Sequence, residues 1–468
     1  MAVDSTHPDY DAMIVKQQRV RDALDADRVK AAGETYLPKL SGMKGDEYAA
    51  YAKRGLYYGA TQRTLQGVSG LVFRRDTTTT LPANAAANDI IKDVNLRGVP
   101  IERFAQQTFD EVFAMGRVGL YVSLPTTAAP GARAYINRYR AESIINWRVD
   151  ESGPRPRLSR VVLKEQVYLT DPEDVYSMKK ADQWRDIYLD EHGLVAVNVW
   201  RKSADVGIPG AGKFALVEYS EPRFRGARAP MLPFVFINAR SLGPELEEPP
   251  LLPLADANLD HYRMVTDYRH GLHYTALPTP YVFGGPEDQQ LAIGPGVAWT
   301  GGTSDVKVGM LEFSGAGLSA LKDAIESGVG YMASLGARLI EAEKNAAETA
   351  ETHRLRQGRE QATVAGTVQT MNDGLSQALT MALNLSGITG EAQVECNTDL
   401  VDARLAPDEL RVLVEAYQTG TIAFDTFYYN LRRGEMTRPG VDAEDERAAI
   451  EAGIGAQMMQ LPAGDGTF

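Results

Sequence analysis

Two helical repeats separated by a polar hinge constrain this chain more than any other feature. Over residues 315–340, Leu318, Leu321, Ile325, Met332, Leu335 and Leu339 recur at steps of three and four, with Gly328 occupying one slot. Over residues 353–386, Val364, Val368, Met371, Leu375, Ala378, Ala382 and Leu385 do the same. Each arm therefore carries one apolar stripe, the pattern of a helix with a single buried side. Between them lies Glu341-Ala-Glu-Lys-Asn-Ala-Ala-Glu-Thr-Ala-Glu-Thr352, which has nothing large and apolar to bury. The pattern predicts two long helices facing each other across an exposed, mobile hinge. Such a device, in a chain without a catalytic signature, points to a mechanical part rather than an active site.

Composition narrows the classes. A chain of 468 residues needs more than one packing unit, and 44% hydrophobic with 24% charged residues is ordinary for folded proteins. The formal net charge of -13 argues against a protein built to grip nucleic acid, because that grip comes from clustered Lys and Arg. It leaves room for a surface that nucleic acid slides past. Cys396 is the only cysteine, so no disulfide forms within the chain, and the count suits a reducing cytosol. The first ten residues carry no basic-then-apolar pattern, so no secretory leader is read, and no apolar run is long enough to span a bilayer.

Along the chain, 8–32 reads as one helix started by Pro8, and 45–72 as a second that several glycines weaken. Residues 77–88, opening on four threonines, read as a linker, and 88–116 as helix broken at Pro100. From Gly119 to Phe236 the period becomes two, with strands at 119–124, 158–164, 195–200 and 214–219, predicting an α+β block with mostly antiparallel connections. A helix over 254–276 carries Leu254, Leu259, Tyr262, Val265, Tyr268 and Leu272 on one stripe, with Pro278 and Pro280 stopping it. Residues 279–313 form a small β unit with strands at 281–283, 297–299 and 306–308 between Gly-rich turns. Gly387-Ile388 closes the second arm as a helix C-cap. A strand surrounds Cys396, helices follow near 407–418 and 423–433, and an acidic segment ends the chain. No internal repeat is present.

Several local motifs have a chemical and a plain reading. Gly207-Ile-Pro-Gly-Ala-Gly-Lys213 has the spacing of a phosphate-binding loop. The next residue is Phe214 rather than the Ser or Thr that would hold magnesium, and a strand pattern follows where a helix should present its amides. A hairpin loop is the better reading. His270 and His273, with His261 and Asp267 nearby, have a ligand-like spacing but read better as a polar helix face, as do Asp256 and Asp260. Arg133, Arg138, Arg140, Arg148, Arg155, Arg157 and Arg160 interleave with Tyr135, Tyr139 and Trp147. In an acidic chain that pattern fits a half-exposed sheet better than a nucleic-acid surface. No catalytic residue, metal site or cofactor site is assigned.

The order of parts resembles that of tailed-bacteriophage portal proteins, the head-tail connectors. The segment Gly420-Thr-Ile-Ala-Phe-Asp-Thr-Phe-Tyr-Tyr-Asn-Leu-Arg-Arg-Gly-Glu435 is similar to the helix pair near portal C-termini, with Ala423 in place of the usual Ser. His7-Pro-Asp-Tyr10, Ala31-Ala-Gly-Glu-Thr-Tyr-Leu-Pro-Lys39 and Tyr58-Gly-Ala-Thr-Gln-Arg63 resemble a portal-associated phage family long catalogued as a domain of unknown function. The resemblance implies a multi-domain, ring-forming α+β architecture. N-terminal helices and an α+β wing would occupy 1–250, the first stem helix 251–278, a β clip 279–313 and the second stem helix 314–340. A tunnel loop would follow at 341–352, the long wing helix and a strand at 353–406, and a helical crown with an acidic tail at 407–468.

It further implies a non-enzymatic ring of twelve copies at the capsid portal vertex of the virion, assembled in the host cytoplasm. Its partners would be the terminase large subunit, major capsid and scaffolding proteins, a head-tail adaptor, and double-stranded DNA passing non-specifically through the channel, with no membrane involved. Lys344, Asn345, Glu348 and Thr349 would reach toward the channel axis, and Glu287, Asp288 and Gln289 would face terminase or adaptor. The alternatives are a P-loop NTPase of the packaging motor, or a head scaffold or minor structural protein that forms no ring.

Overall fold

The structure is a computed structural model that describes residues 2–125, 132–154, 156–170, 174, 176–206, 212–224, 226–275, 279–283, 307–311, 316–337, 350–398, 400, 407–433, 436–437, 441 and 443–459. The chain is α+β, with antiparallel sheets and helices divided between two compact units, Met1–Thr398 and Asp399–Phe468. No helix among the described residues is long and apolar enough to cross a membrane.

The N-terminal helix predicted over 8–32 is two helices, Pro8–Ala23 (α1) and Ala26–Ala31 (α2). Asp25 divides them. Its backbone is extended, and its carboxylate accepts hydrogen bonds from the amides of Asp27 and Arg28, so a capping side chain outcompetes helix continuation. The region 45–72 divides too, into Gly45–Arg54 (α3) and Ala60–Val72 (α4), with Gly55 extended at the break. Thr78–Thr80 (β1) lies inside the predicted linker, and it is a strand because a partner elsewhere in the chain pairs with it. Ala85–Lys92 (α5) and Ile101–Met115 (α6) follow on either side of Pro100.

Arg117–Ser123 (β2), Tyr135–Arg140 (β3), Ile144–Asp150 (β4), Arg157–Thr170 (β5), Met178–Leu189 (β6) and Val195–Lys202 (β7) come next. After a short turn of helix, Ser203–Val206 (α7), the block ends with Phe214–Ser220 (β8), Arg223–Phe224 (β9), Ala227–Arg228 (β10) and Phe234–Asn238 (β11). Strands β4 to β8 form a five-stranded antiparallel sheet in sequence order, and β11, β2 and β3 form a three-stranded one. The two sheets close on a shared core. Ile144, Trp147, Val161, Leu163, Ile187, Val195 and Val197 of the larger sheet meet Tyr121, Phe234 and Phe236 of the smaller. The opposite face of the larger sheet buries Ile145, Val162, Trp184 and Phe214 under Val3 and Tyr10. His7 adds a ring stacked on Trp147 at 4.2 Å, and its amide donates to the Ile145 carbonyl.

Between the sheets sits Arg117, 1% exposed, with its guanidinium 4.5 Å from the Trp147 ring centre and 4.3 Å from that of Phe236. Burial pushes its pKa down to about 9, with Glu245 and Glu247 opposing the shift, so it stays charged at neutral pH. Its Nε donates to Asn238 Oδ1, and another guanidinium N–H donates to the Pro244 carbonyl. Asn238 in turn donates through Nδ2 to the carbonyls of Gly243 and Glu245. One buried cation thereby fixes the turn that leads out of the sheet and into the helix Leu252–Thr275 (α8).

After α8 come Thr279–Phe283 (β12) and Lys307–Leu311 (β13), paired antiparallel with Val282 opposite Val308. The expected strand at 297–299 lies outside the described residues. Ala316–Met332 (α9) leads into a π-helical turn at Ala333–Ala337, where Gly336 has φ 140. Ala350–Leu385 (α10) is the longest helix described and ends in the predicted cap. Gly387 has φ 76, and the Ile388 amide reaches back to the Leu383 carbonyl at 2.9 Å. Gln393–Glu395 (β14) then pairs with β1.

The two arms have different partners. The α9 helix lies along α8, while α10 lies across β11, β2 and α6. Val364, Val368, Met371, Leu375, Ala378, Ala382 and Leu385, the stripe read from the sequence, are all buried. Contact with the sheet is close: a Cβ at Gly374 would fall 2.5 Å from Ile237 Cγ1, so only glycine fits there. A polar row on α10 does separate work. Asn372 Oδ1 accepts from the Cys396 amide, Ser376 Oγ from the Val394 amide and Thr380 Oγ1 from the Ala392 amide. Four helical residues rise about 6 Å, close to the roughly 6.6 Å of two strand residues. Helix side chains at every fourth position therefore match strand amides at every second, and β14 needs no strand on that side.

The second unit holds Pro407–Gln418 (α11), Phe424–Arg433 (α12) and Ala443–Met459 (α13). The acidic segment read at the chain end is thus partly helix, with Glu444, Asp445 and Glu446 in a first turn whose exposed amides favour negative charge. Tyr417 stacks on Phe427 at 4.6 Å, and Arg447 pairs with Asp425 at 3.0 Å.

Replacing Asn372 by Leu leaves the Cys396 amide and carbonyl buried without their partner. The expected cost is about 1–3 kcal/mol in urea unfolding of the full chain, and wild-type stability would contradict the helix-to-strand anchoring.

Candidate functional site

The candidate site is the limb formed by α8, the β12–β13 hairpin and α9, with the start of α10 beyond it. Its base is held by polar ties to the N-terminal helices. Asn258 of α8 donates to the Tyr57 hydroxyl and to Thr61 Oγ1, and the Tyr57 hydroxyl donates to the Ala23 carbonyl at 2.6 Å. Arg263 Nε donates to the Tyr36 carbonyl, and the Tyr51 hydroxyl donates to Asp267. Tyr262 packs edge-on against Tyr57 at 5.8 Å. These contacts bury Leu254, Leu259, Tyr262 and Val265, four members of the stripe read on this helix, whereas Leu272 further along is exposed.

The α9 helix interlocks with the outer part of α8. A Cβ at Gly271 would lie 2.6 Å from Leu318 Cδ2, so the glycine lets the second helix approach. The α9 stripe is less covered than its periodicity predicts: among its described members, Leu318, Leu321, Ile325 and Leu335 are half-buried and Met332 is buried. Tyr274, Tyr281, Phe283, Val329 and Tyr331 are exposed on the two helices and the hairpin. Single exposed apolar residues are ordinary, but this many on one limb leave apolar surface that no described residue covers.

The residues predicted to act at either end of the limb, Lys344, Asn345, Glu348 and Thr349 in the hinge and Glu287, Asp288 and Gln289 at the tip of the β unit, lie outside the described residues. The other motifs resolve into packing. His261 is buried beside Tyr58, His270 packs edge-on against Tyr51 at 5.1 Å, and His273 contacts Tyr274. Asp256 pairs with Arg19 and Asp260 with Arg263. Within the Gly207–Lys213 motif, Lys213 pairs with Asp4 at 2.7 Å and β8 begins at Phe214, so the motif joins two paired strands. Arg133, Arg157 and Arg160 pair with Asp93, Asp150 and Asp186. Arg138 is held among Asp110 and Glu111, and Arg155 lies outside the described residues.

The sequence places His261 on a polar helix face in preference to a ligand set, and the structure buries it instead. Its ring lies at the junction of α8, α9 and the start of α4, near Gly328 and Tyr58, and its Nδ1 has no hydrogen-bond partner among the described residues. Burial lowers its pKa from the ordinary 6.5, and Asp260 only partly offsets this. The folded state therefore favours neutral imidazole, and the unfolded chain binds the proton first as pH falls. Stability is full above pH 6.5 and declines below it until the lower folded pKa is passed. Hydrogen exchange at α8 and α9 should accelerate between neutral pH and pH 5 in the wild type and lose that component in His261→Phe. An unchanged pH dependence in the variant would contradict the assignment.

Residues 250–385 match the protein family described as Domain of unknown function (DUF4055), a span that covers α8, the hairpin, α9 and α10. No curated protein matches the chain. Among solved structures, the chain is similar at 12% identity to one described as the virion of a native gene transfer agent (GTA) particle, over 85% of this chain and 96% of that one, with a TM-score of 0.39. It is similar at 12% identity to the neck of an empty GTA particle with C6 symmetry, over 85% and 95%, TM-score 0.41. Similarity to the neck of a native GTA particle with C12 symmetry is 10% over 87% and 99%, TM-score 0.38.

Proposed function

We propose that this chain is a portal protein: a non-enzymatic structural subunit that forms a ring of twelve at one capsid vertex, conducts DNA during packaging and ejection, and docks first terminase and later a head-tail adaptor. The observation that carries this reading is the order of elements. An α+β block is followed by a 24-residue helix, a β hairpin, a second helix returning along the first, a 36-residue helix and a separate helical unit. That is the order of wing, stem, clip, stem, long wing helix and crown in the portal resemblance. The uncovered apolar residues of the limb support it, since neighbouring copies in a ring would cover them.

On this reading α8 and α9 are the stem, the β unit is the clip, α10 is the long wing helix and Asp399–Phe468 contains the crown. The acidic balance of the chain suits a channel that must let DNA slide rather than hold it. The P-loop NTPase alternative is disfavoured by the ion pair of Lys213 with Asp4 and by the strand that starts at Phe214. A ringless scaffold or minor head protein would give neither closed oligomers nor a packaging defect specific to the hinge.

Two experiments follow from the placement of the limb. Deleting 345–351, which removes Asn345, Glu348 and Thr349 from the hinge shared with Lys344, should leave assembly intact in sedimentation and abolish DNA packaging or retention. Normal packaging by that deletion would refute a channel role for the hinge. Reversing the clip charges with Glu287→Lys and Asp288→Lys, beside Gln289, should weaken terminase docking about tenfold without dissolving the oligomer, on the scale of rim charges at protein interfaces. Unchanged docking would remove the clip assignment.

A further inference from the structure

Two further surfaces of the first unit have convex and concave forms. Strands β5 and β6 run on past their neighbours: 166–170 and 178–182 pair only with each other, while the pairing with β4 stops at Leu163 and that with β7 at Gln183. The result is a two-stranded finger. Tyr168 is 69% exposed on it, Met178 66% and Tyr176 98%. Asp174, also exposed, holds the Tyr176 amide through Oδ1 at 3.0 Å, which presents the tyrosine outward. An exposed tyrosine and methionine beside a carboxylate have the composition of an interface anchor.

The concave partner is a groove of about 740 Å³ between α1, the turn at Gly33–Thr35 and α8. Ile14, Val15, Tyr36 and Leu259 give it an apolar lining, and Val15 is 64% exposed. Arg19 and Arg263 also line it. Asp256 is the one acid in the lining and is taken up by Arg19 at 3.1 Å. The Nε of Arg19 has no acceptor among the described residues, and Arg263, whose Nε donates to the Tyr36 carbonyl, has Asp260 at 3.8 Å. The groove thus offers apolar area beside two guanidinium groups and a single carboxylate, which complements an aromatic finger carrying Asp174.

We infer that the β5–β6 finger of one copy seats Tyr176 in the α1–α8 groove of a second copy, with Asp174 facing Arg19 and Arg263. Finger and groove are different surfaces, so the contact is head-to-tail and each copy has one of each to offer. Such contacts propagate until rotation closes them into a ring. The inference rests on the ring reading above and adds a contact between neighbours at the base of the limb.

The test uses the full chain with Val15→Cys and Tyr176→Cys together, treated with a short bismaleimide. The native Cys396 is buried and its thiol pKa is pushed up to about 11 by burial, so it adds little background. The double variant should give a ladder of covalent multimers on a denaturing gel, and either single variant none. Rings without a ladder, a cross-link confined to one chain, or a product that stops at the dimer would each overturn the finger-in-groove contact while leaving the ring reading intact. Absence of any ring from the wild type would overturn both. In parallel, Tyr176→Asp should raise the concentration needed for assembly about tenfold while Tyr176→Phe leaves it unchanged, and equal assembly by all three proteins would also overturn the contact.

Discussion

The structure depends on one helix serving two unlike neighbours. The α10 helix offers apolar side chains to the β11–β2–β3 sheet and to α6, and a polar row of Asn372, Ser376 and Thr380 to the strand β14. The first contact is hydrophobic burial, of the order of 1.5–3 kcal/mol for each large side chain fully removed from water. The second is not a driving force of similar size. Its importance is that β14, and through it β1, would otherwise leave a row of buried amides unpaired. Because both demands fall on one rigid rod, the sheet, α6 and the β1–β14 pair are held in a single register.

The limb is then anchored on that frame from the other side. Arg117 lies in the plane between the sheets and ties down the turn before α8. Asn258, Arg263 and Asp267 fasten α8 to the N-terminal helices. Beyond these ties α8 is held by His270 packing on Tyr51 and by α9 lying along it, and the described α9 stripe stays mostly half-covered. Among the described residues, burial thus declines from the frame toward the outer limb within one copy. That gradient suits a part completed by neighbours, since apolar surface left open in the monomer becomes a source of association free energy.

What the sequence made legible follows from the physics of each segment. The α10 stripe was readable because period and burial coincide over many turns, and α8 because prolines bracket an apolar repeat. The division of 8–32 was missed although Asp25 is a capping residue, because an apolar pattern runs across it. The Thr78–Thr80 strand was missed because its partner lies more than three hundred residues away, and local composition cannot reveal a distant pairing. The polar row on α10 had a visible signal, three hydrogen-bonding residues spaced four apart beside the apolar stripe. The prediction that the arms face each other failed because periodicity reports that a side is buried and says nothing of what buries it. The hinge and clip residues rest on resemblance alone, and the interface residues Tyr176 and Val15 were invisible in sequence, since exposure is a property of the fold.

The central claim is that copies of this chain close into a ring around a channel. Electron cryomicroscopy of the purified full-length chain at assembly concentration tests it most directly. The account predicts closed twelve-fold particles with an open axial channel, the α8–α9 limb around that channel and the Tyr176 finger at each subunit boundary. A uniform population of folded monomers, or open filaments without closure, would contradict it.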